Sequence, residues 1–132
     1  MIGLSLLHAE LTRDNATGIV SDSVSGLEWQ DDAVGNYMSW QSAIDTCENL
    51  TLGNQSDWRL PNVNELKSIV DRSKVNPAIK TGFVNSSSSG YWSSTTNEGY
   101  KRYAWIVDFN VGYVNNRDKD GSNYVRCVRA GQ

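Results

Sequence analysis

Apolar side chains recur at helical spacing in the first half of the chain. Between residues 40 and 50 they are separated by three or four positions, the repeat of an amphipathic helix. Ser39 is a good N-cap for this helix, and Gly53 is placed to end it. The residues of the apolar face are Trp40, Ala43, Ile44, Cys47 and Leu50.

A second helix is predicted after Asn62. Glu65 follows three residues later, at the position from which its side chain reaches back to the cap. Pro77 lies beyond the end of this helix. Its apolar stripe consists of Val63, Leu66, Ile69 and Val70.

Strand patterns lie on either side of the helices. Two short strands are predicted at residues 18–20 and 26–30, around a turn at 22–25. After residue 81 the chain is rich in Ser, Asn, Gly and Tyr, and the links between its apolar groups are polar, notably residues 115–123. Two helices followed by an antiparallel meander indicate an α+β fold. The four later strands are predicted at residues 91–94, 103–109, 112–114 and 124–128.

Length and charge narrow the class of protein. The 132 residues suffice for one domain with a proper core, and no internal repeat or linker is visible. The net charge is −3 with Lys and Arg dispersed, which argues against a nucleic-acid-binding surface. No apolar run approaches the length of a membrane span. Residues 1–17 are interpreted as an N-terminal segment, either a signal remnant or a first strand, and residues 18–132 as the domain.

Cys47 and Cys127 are the only cysteines and stand far apart in the sequence. Three interpretations are open: a disulfide in an oxidising compartment, two buried thiols, or a catalytic pair. The single histidine, His8, lies in the N-terminal segment, so no obvious partner lowers the pKa of a thiol nucleophile.

Two polar segments resemble functional sites. In residues 57–62 a structural role is favoured, because Trp58 and Leu60 alternate into the core and Arg59 can pair with a carboxylate. Asn116, Asp118 and Asp120 have the alternate spacing of a calcium loop, but Cys127 stands where an EF-hand requires glutamate. The sugar-binding calcium motifs of C-type lectins are also missing. No cofactor is therefore predicted, and only another type of calcium site is left open.

An ordered set of motifs resembles a bacterial family, the C-terminal domain of the Legionella collagen-like adhesin. Beyond that family it resembles the broader C-type-lectin-like fold. No single motif is diagnostic, but together they span the chain from about residue 22 to its end. The matching segments are residues 24–30, 40–44, 57–62, 65–66, 91–95 and 125–129.

The resemblance implies two helices packed on a small twisted antiparallel sheet, with the N- and C-terminal strands together. It implies a disulfide from the first helix to the final strand, where Cys47 and Cys127 fall. It also implies a secreted, cell-surface or periplasmic protein. No collagen repeat occurs here, so oligomerisation is left open. Related folds supply two alternatives: a formylglycine-generating type of enzyme and a retroelement-diversified variable protein.

The expected function is non-enzymatic binding of a glycan or protein ligand through the last-strand loops, where C-type-lectin-like folds meet their ligands. Tyr, Asn, Ser and Gly make adaptable recognition surfaces. The family resemblance suggests sulfated glycans, for which four basic side chains of these loops would supply charge, although two aspartates interleave with them. The candidate residues are Asn97, Tyr100, Lys101, Arg102, Tyr103, Asn115, Asn116, Arg117, Asp118, Lys119, Asp120 and Asn123.

Overall fold

Two helices and two antiparallel sheets make up the fold. The computed structural model describes residues 11–131, so the signal interpretation of residues 1–9 lies outside the described residues. The α+β class is confirmed, but the expectation of one small sheet is wrong. The elements are β1 (Leu11–Asp14), β2 (Ile19–Asp22), β3 (Leu27–Gln30), α1 (Trp40–Glu48), α2 (Val63–Lys67), β4 (Gly90–Thr96), β5 (Tyr103–Asp108), β6 (Tyr113–Asp118) and β7 (Val128–Ala130).

The larger sheet joins the two ends of the domain. Its strand order is β1-β2-β3-β7, so the last strand pairs with the third. Val20, Trp29 and Val128 are aligned across β2, β3 and β7, and all three are fully buried. The juxtaposition of N- and C-terminal strands that the resemblance implied is present. The opposite face of this sheet carries the alternate residues Ser21, Glu28 and Arg129.

The smaller sheet, β4-β5-β6, divides the core into two clusters. Tyr91 and Val107 are aligned and pack with Leu66 and Phe109 in the first cluster. Trp92 and Ile106, the next pair, pack with the second cluster around the two cysteines. Because successive side chains of a strand point to opposite faces, this sheet is buried on both sides along β4 and β5.

The first helix starts where predicted and ends early. The Ser39 hydroxyl accepts a hydrogen bond from the Ser42 N–H, and Ala43 and Cys47 are buried. Trp40 is half-buried and its indole N–H donates to the Ser93 carbonyl at 2.9 Å. The helix ends at Glu48, with Asn49 as its C-cap, so the extension to Leu50 and Gly53 is wrong.

The second helix is short and well capped. The Asn62 side chain accepts from the Glu65 N–H while the Glu65 carboxylate accepts from the Asn62 N–H, which confirms the predicted capping box. Arg59 donates both terminal nitrogens to that carboxylate at 2.7 and 2.8 Å. The helix ends at Lys67, although Ile69 beyond it is still fully buried.

The capping carboxylate makes stability depend on pH. Hydrogen bonds from Arg59 and from the Asn62 N–H outweigh burial, and they hold the Glu65 pKa below its ordinary 4.5. A depressed pKa stabilises the fold above the unfolded pKa, and that contribution is lost as pH falls through the folded value. We expect Glu65→Gln to reduce the free energy of unfolding more at pH 7 than at pH 3, as measured by urea denaturation.

The same pair of pH values in an Arg59→Met background provides the control. In that background the effect of Glu65→Gln on the free energy of unfolding should depend less on pH, because the main cause of the shift is gone. A pH dependence of undiminished size would assign the effect to other carboxylates.

One disulfide links the two cysteines. The sulfur atoms of Cys47 on α1 and Cys127, immediately before β7, are bonded, with Cα atoms 5.4 Å apart. Residues 11–131 therefore contain no free thiol. The main chain of Cys127 is also fixed by Gln30, whose side-chain oxygen accepts its N–H at 3.0 Å. Of the three interpretations of the cysteines, the disulfide is the one the structure contains.

A buried ion pair fixes a long irregular segment to the larger sheet. The Asp31 carboxylate is fully buried and accepts hydrogen bonds from Arg126 at 2.9 Å and Arg13 at 2.7 Å. It also accepts the main-chain N–H groups of Val84 and Asn85. Arg126 is 3% exposed and donates onward to the Asn85 carbonyl and the Ser86 hydroxyl. Sequence analysis did not identify this cluster.

Two strand predictions near the C-terminus are wrong. Residues 115–118, expected in a loop, form most of β6, and each pairs with a residue of β5. The final strand is residues 128–130 rather than 124–128, although Tyr124 makes an isolated bridge to Tyr91. In the described part of the chain, no helix has the length and hydrophobicity required to cross a bilayer.

Candidate functional site

The register of β5 and β6 separates the candidate residues into two groups. Asn116 and Asp118 lie opposite Trp105 and Tyr103, on the face of the sheet that packs toward α2. Asn115 and Arg117 are on the other face, opposite Ile106 and Ala104. Because paired residues share a face, β6 cannot present all four side chains to one ligand.

The side chains of Asn115 and Arg117 bond to their own strand. The Asn115 amide oxygen accepts the Asn116 N–H at 2.9 Å, and Arg117 donates to the Asn116 carbonyl at 2.9 Å. Both main-chain groups of Asn116 thus have side-chain partners at the outer edge of β6. This arrangement hinders the open edge of β6 from pairing with a strand of another chain, a role that sequence reasoning did not consider.

The loop before β5, residues 97–102, is exposed, but some of its side chains are held by contacts with the rest of the domain. Tyr100 is 71% exposed, with its ring 6.2 Å from that of Tyr103. Lys101 is exposed and forms no ion pair within residues 11–131. Asn97 is half-buried and donates its amide to Asn116 at 3.4 Å. Among the candidate residues of this loop, the side chains of Tyr100 and Lys101 are available to a ligand.

Arg102 and Asp118 form an exposed ion pair. The guanidinium donates to the carboxylate at 2.6 Å, and the same carboxylate accepts the Asp120 N–H at 2.9 Å. The hydrogen bond from the Asp120 N–H lowers the pKa of Asp118 most, and the hydrogen bond from Arg102 lowers it further. Asp118 raises the pKa of Arg102. The charges offset each other, so this pair contributes little positive potential to the surface.

Residues 119–123 fold back against α1. The Lys119 ammonium lies 4.0 Å from the centre of the Trp40 ring and donates to the Thr96 hydroxyl at 3.0 Å. Asn123 is only 7% exposed, and its main chain pairs with Met38 in both directions. Asp120 is exposed. Among residues 11–131 no group of three or more acidic, His or Cys side chains is placed to hold a metal ion.

A groove runs between α2 and the strands β5 and β6. Two adjoining cavities, about 190 and 340 Å³, share Lys67 as a wall. The half-buried Trp105 lies at one end, beside its cross-strand partner Asn116. We call this feature the α2 groove; its lining residues are Val63, Lys67, Val70, Arg72, Trp105, Gly112 and Val114.

The basic end of the α2 groove is held open by tight local packing. Arg72 lies over the Tyr113 ring, 5.1 Å from its centre, and donates to the Gly112 carbonyl. Gly112 has φ +89°, and a Cβ there would lie 2.7 Å from the Val70 side chain. Neither Lys67 nor Arg72 forms an ion pair with a carboxylate within residues 11–131. The groove therefore combines apolar walls, an aromatic ring and two uncompensated cations.

Sequence reasoning missed the α2 groove, but a signal for it exists. Ten of the twelve Lys and Arg residues follow Glu65, whereas ten of the fifteen acidic residues lie at or before it. Residues 72–97 contain no acidic residue at all. The description of Lys and Arg as dispersed is therefore wrong. The first half of the chain is acidic and the second half is basic.

Comparison with known proteins identifies the family of the chain. The Lcl C-terminal domain family matches residues 18–129, which is most of the chain and includes both cysteines and all or part of six of the seven strands. No curated protein matches the chain significantly. The family expected from the ordered motifs is thus confirmed, and this chain belongs to the Lcl C-terminal domain family.

Proposed function

We propose that this chain is a non-enzymatic, adhesin-type domain that holds an acidic glycan in the α2 groove. Family membership supports an adhesin-related role. The observation that carries the ligand class is the combination, along one groove, of Trp105 with Lys67 and Arg72, two cations that have no ion-pair partner among residues 11–131. A protein ligand is the alternative within the same function.

Each part of the groove matches a part of such a ligand. The apolar face of a sugar ring packs on an indole, and Trp105 is half-exposed for this contact. A sulfate or carboxylate pairs with a guanidinium or an ammonium, which Arg72 and Lys67 supply. Asn97 and Asn116, held together beside Trp105, offer amide groups to sugar hydroxyls.

The fold and compartment are inferred together. We assign the domain to the C-type-lectin-like group on the grounds that a disulfide joins α1 to the chain before β7 and that β3 pairs with β7. A disulfide across most of the domain favours an oxidising compartment. We therefore place the domain outside the cytoplasm, as a secreted, cell-surface or periplasmic module.

Two alternatives have less support. A formylglycine-generating type of enzyme would need Cys47 or Cys127 as a thiolate, and their disulfide removes both sulfur atoms from that role. A retroelement-diversified protein would vary exposed positions of its binding surface. Of the candidate loop residues, Lys119 and Asn123 have contacts that hold the fold together, which restricts such variation.

Heparin binding tests the groove. We expect Lys67→Ala and Arg72→Ala each to weaken heparin binding by about tenfold, because each removes one charge-assisted contact. The dependence of affinity on salt should also become less steep. The measurement is isothermal titration calorimetry at two salt concentrations, with circular dichroism to verify the fold.

Matched basic residues outside the groove are the controls. Lys74→Ala should leave heparin affinity within about twofold, since Lys74 does not line the α2 groove. If Lys101→Ala or Arg117→Ala weakens binding while Lys67→Ala does not, the ligand contacts the loop before β5 or the strand β6 instead. If the folded wild type binds neither heparin nor neutral glycan arrays, the glycan proposal fails and a protein ligand is indicated.

A further inference from the structure

A second concave site lies on the larger sheet. The alignment of Ser21, Glu28 and Arg129 places their side chains on the face of this sheet opposite its core residues. The turn after β1 forms one wall and Gly53 with Gln55 another, and Ile19 contributes the apolar part. The cavity measures about 340 Å³ and shares no lining residue with the α2 groove. We call it the sheet cleft; its polar lining residues are Asp14, Thr17, Ser21, Glu28, Gln55 and Arg129.

A buried arginine orients one wall of the sheet cleft. Arg129 is 9% exposed and donates to Glu28, to the Gln55 amide oxygen at 3.2 Å, and to Asp57 at 2.6 Å. Two cleft side chains, Glu28 and Gln55, are thereby held in place before any ligand arrives. Gly53 also lines the cleft, and a Cβ there would come within 2.6 Å of the Ile19 side chain. The shape of the cleft thus depends on a glycine and on one guanidinium.

The opposite wall is also fixed by the main chain. One Asp14 carboxylate oxygen accepts the Ala16 N–H at 2.9 Å, and the Thr17 hydroxyl oxygen accepts the Ile19 N–H at 3.3 Å. Within residues 11–131, the second Asp14 oxygen, the Thr17 hydroxyl proton and the Gln55 amide nitrogen have no hydrogen-bond partner. Each of these side chains therefore has one atom that positions it and one left for a ligand.

The charge of the cleft selects among polar ligands. Arg129 is shared between the carboxylates of Glu28 and Asp57, so no unpaired cation is available for a sulfate or carboxylate within the described cleft, and Asp14 would repel one. Asp14 is solvent-exposed at the rim, where a single ion pair with a cationic ligand is weak. What remains is a set of hydrogen-bond donors and acceptors that line one cleft and that contacts within the protein hold in position, which matches the hydroxyl groups of a sugar ring.

We propose that the sheet cleft binds the ring of an uncharged sugar. The domain would then carry two ligand sites with different charge preferences on separate surfaces. This site does not depend on the α2 groove or on its acidic ligand, and either proposal can fail without the other.

The test is an NMR titration of the wild-type domain with methyl α-glucoside, methyl α-galactoside and methyl α-mannoside. We expect at least one of them to shift the backbone amides of Ser21, Gly53 and Gln55 saturably, with a dissociation constant on the order of 1 mM. Thr17→Val and Gln55→Ala should each weaken this binding about fivefold by removing one hydrogen bond. Thr12→Val, on β1 but outside the cleft, and Lys67→Ala should leave it unchanged.

Three results would overturn the proposal. The first is the absence of saturable shifts with all three glycosides. The second is a set of shifts confined to the α2 groove. The third is tighter binding of methyl glucuronide or glucosamine at the cleft, which would make its ligand an anion or a cation. The wild-type titration decides the question even if a variant fails to fold.

Discussion

Replacing both Cys47 and Cys127 with alanine is expected to lower the free energy of unfolding by about 4–5 kcal/mol or more. The disulfide closes a loop of 80 residues, and for that length the chain-entropy model gives about 4.5 kcal/mol. Both cysteines are fully buried in the second core cluster, so the two truncations also remove packed sulfur atoms. Urea denaturation of the oxidised variant and wild type measures the loss.

The reduced wild-type protein separates the two causes. It lacks the bond but keeps both sulfur atoms, so it should be less stable than the oxidised protein and more stable than the double alanine variant. A difference below about 1 kcal/mol between oxidised and reduced wild type would mean that the cross-link contributes little. The unfolded chain would then have to be compact enough to hold the two cysteines close together.

Asp31→Ala is expected to cost about 3–5 kcal/mol, because it leaves the Arg126 guanidinium buried without its counter-ion. Arg126 is 3% exposed, and its Nε already has no hydrogen-bond partner in the described part of the chain. The substitution also frees the N–H groups of Val84 and Asn85 from their acceptor. Hydrogen exchange should therefore show residues 83–86 opening more readily than the sheet, and urea denaturation should show the global loss.

An apolar replacement of the whole pair is the control. Asp31→Leu combined with Arg126→Met removes both charges, and it should recover a large part of the stability that Asp31→Ala loses. If the double variant is as unstable as the single one, the hydrogen bonds to residues 84–86 stabilise the fold more than the charge pair does. If Asp31→Ala costs less than about 1 kcal/mol, water replaces the carboxylate and the pair is not a stability determinant.

Local signals in the sequence were sufficient to predict the helix starts. Ser39 and Asn62 cap their helices through contacts within three residues, so neighbouring sequence determines them. The ends of the helices depend on tertiary packing, and the predicted ends were wrong. Ile69 continues the apolar stripe of α2 and is buried, although the helix has already ended at Lys67.

The polar sequence of residues 115–118 led to the prediction of a loop where the structure has the strand β6. Asn115, Asn116, Arg117 and Asp118 have the composition of a turn, yet all four pair with β5. A strand at the edge of a sheet takes its stability from the partner's apolar residues, here Ala104 and Ile106, and tolerates polar side chains of its own. Composition alone cannot distinguish such a strand from a loop.

The two candidate ligand sites could not be predicted because each joins distant segments. The α2 groove needs Lys67 beside Trp105 and Gly112, and the sheet cleft needs Asp14 beside Gln55 and Arg129. Only the pairing of strands and the packing of α2 create these neighbours. The change in charge after Glu65 is the one sequence signal that pointed toward the first of them.

The edge of β6 has a consequence for how the folded protein behaves at high concentration. Strand addition at an open edge is how fibrous aggregates start to grow. At Asn116 both main-chain groups are already occupied by neighbouring side chains of the same strand. An incoming chain would have to displace those intramolecular bonds before it could dock there. The polar residues that made this strand look like a loop in the sequence thus oppose amyloid-type growth at this edge.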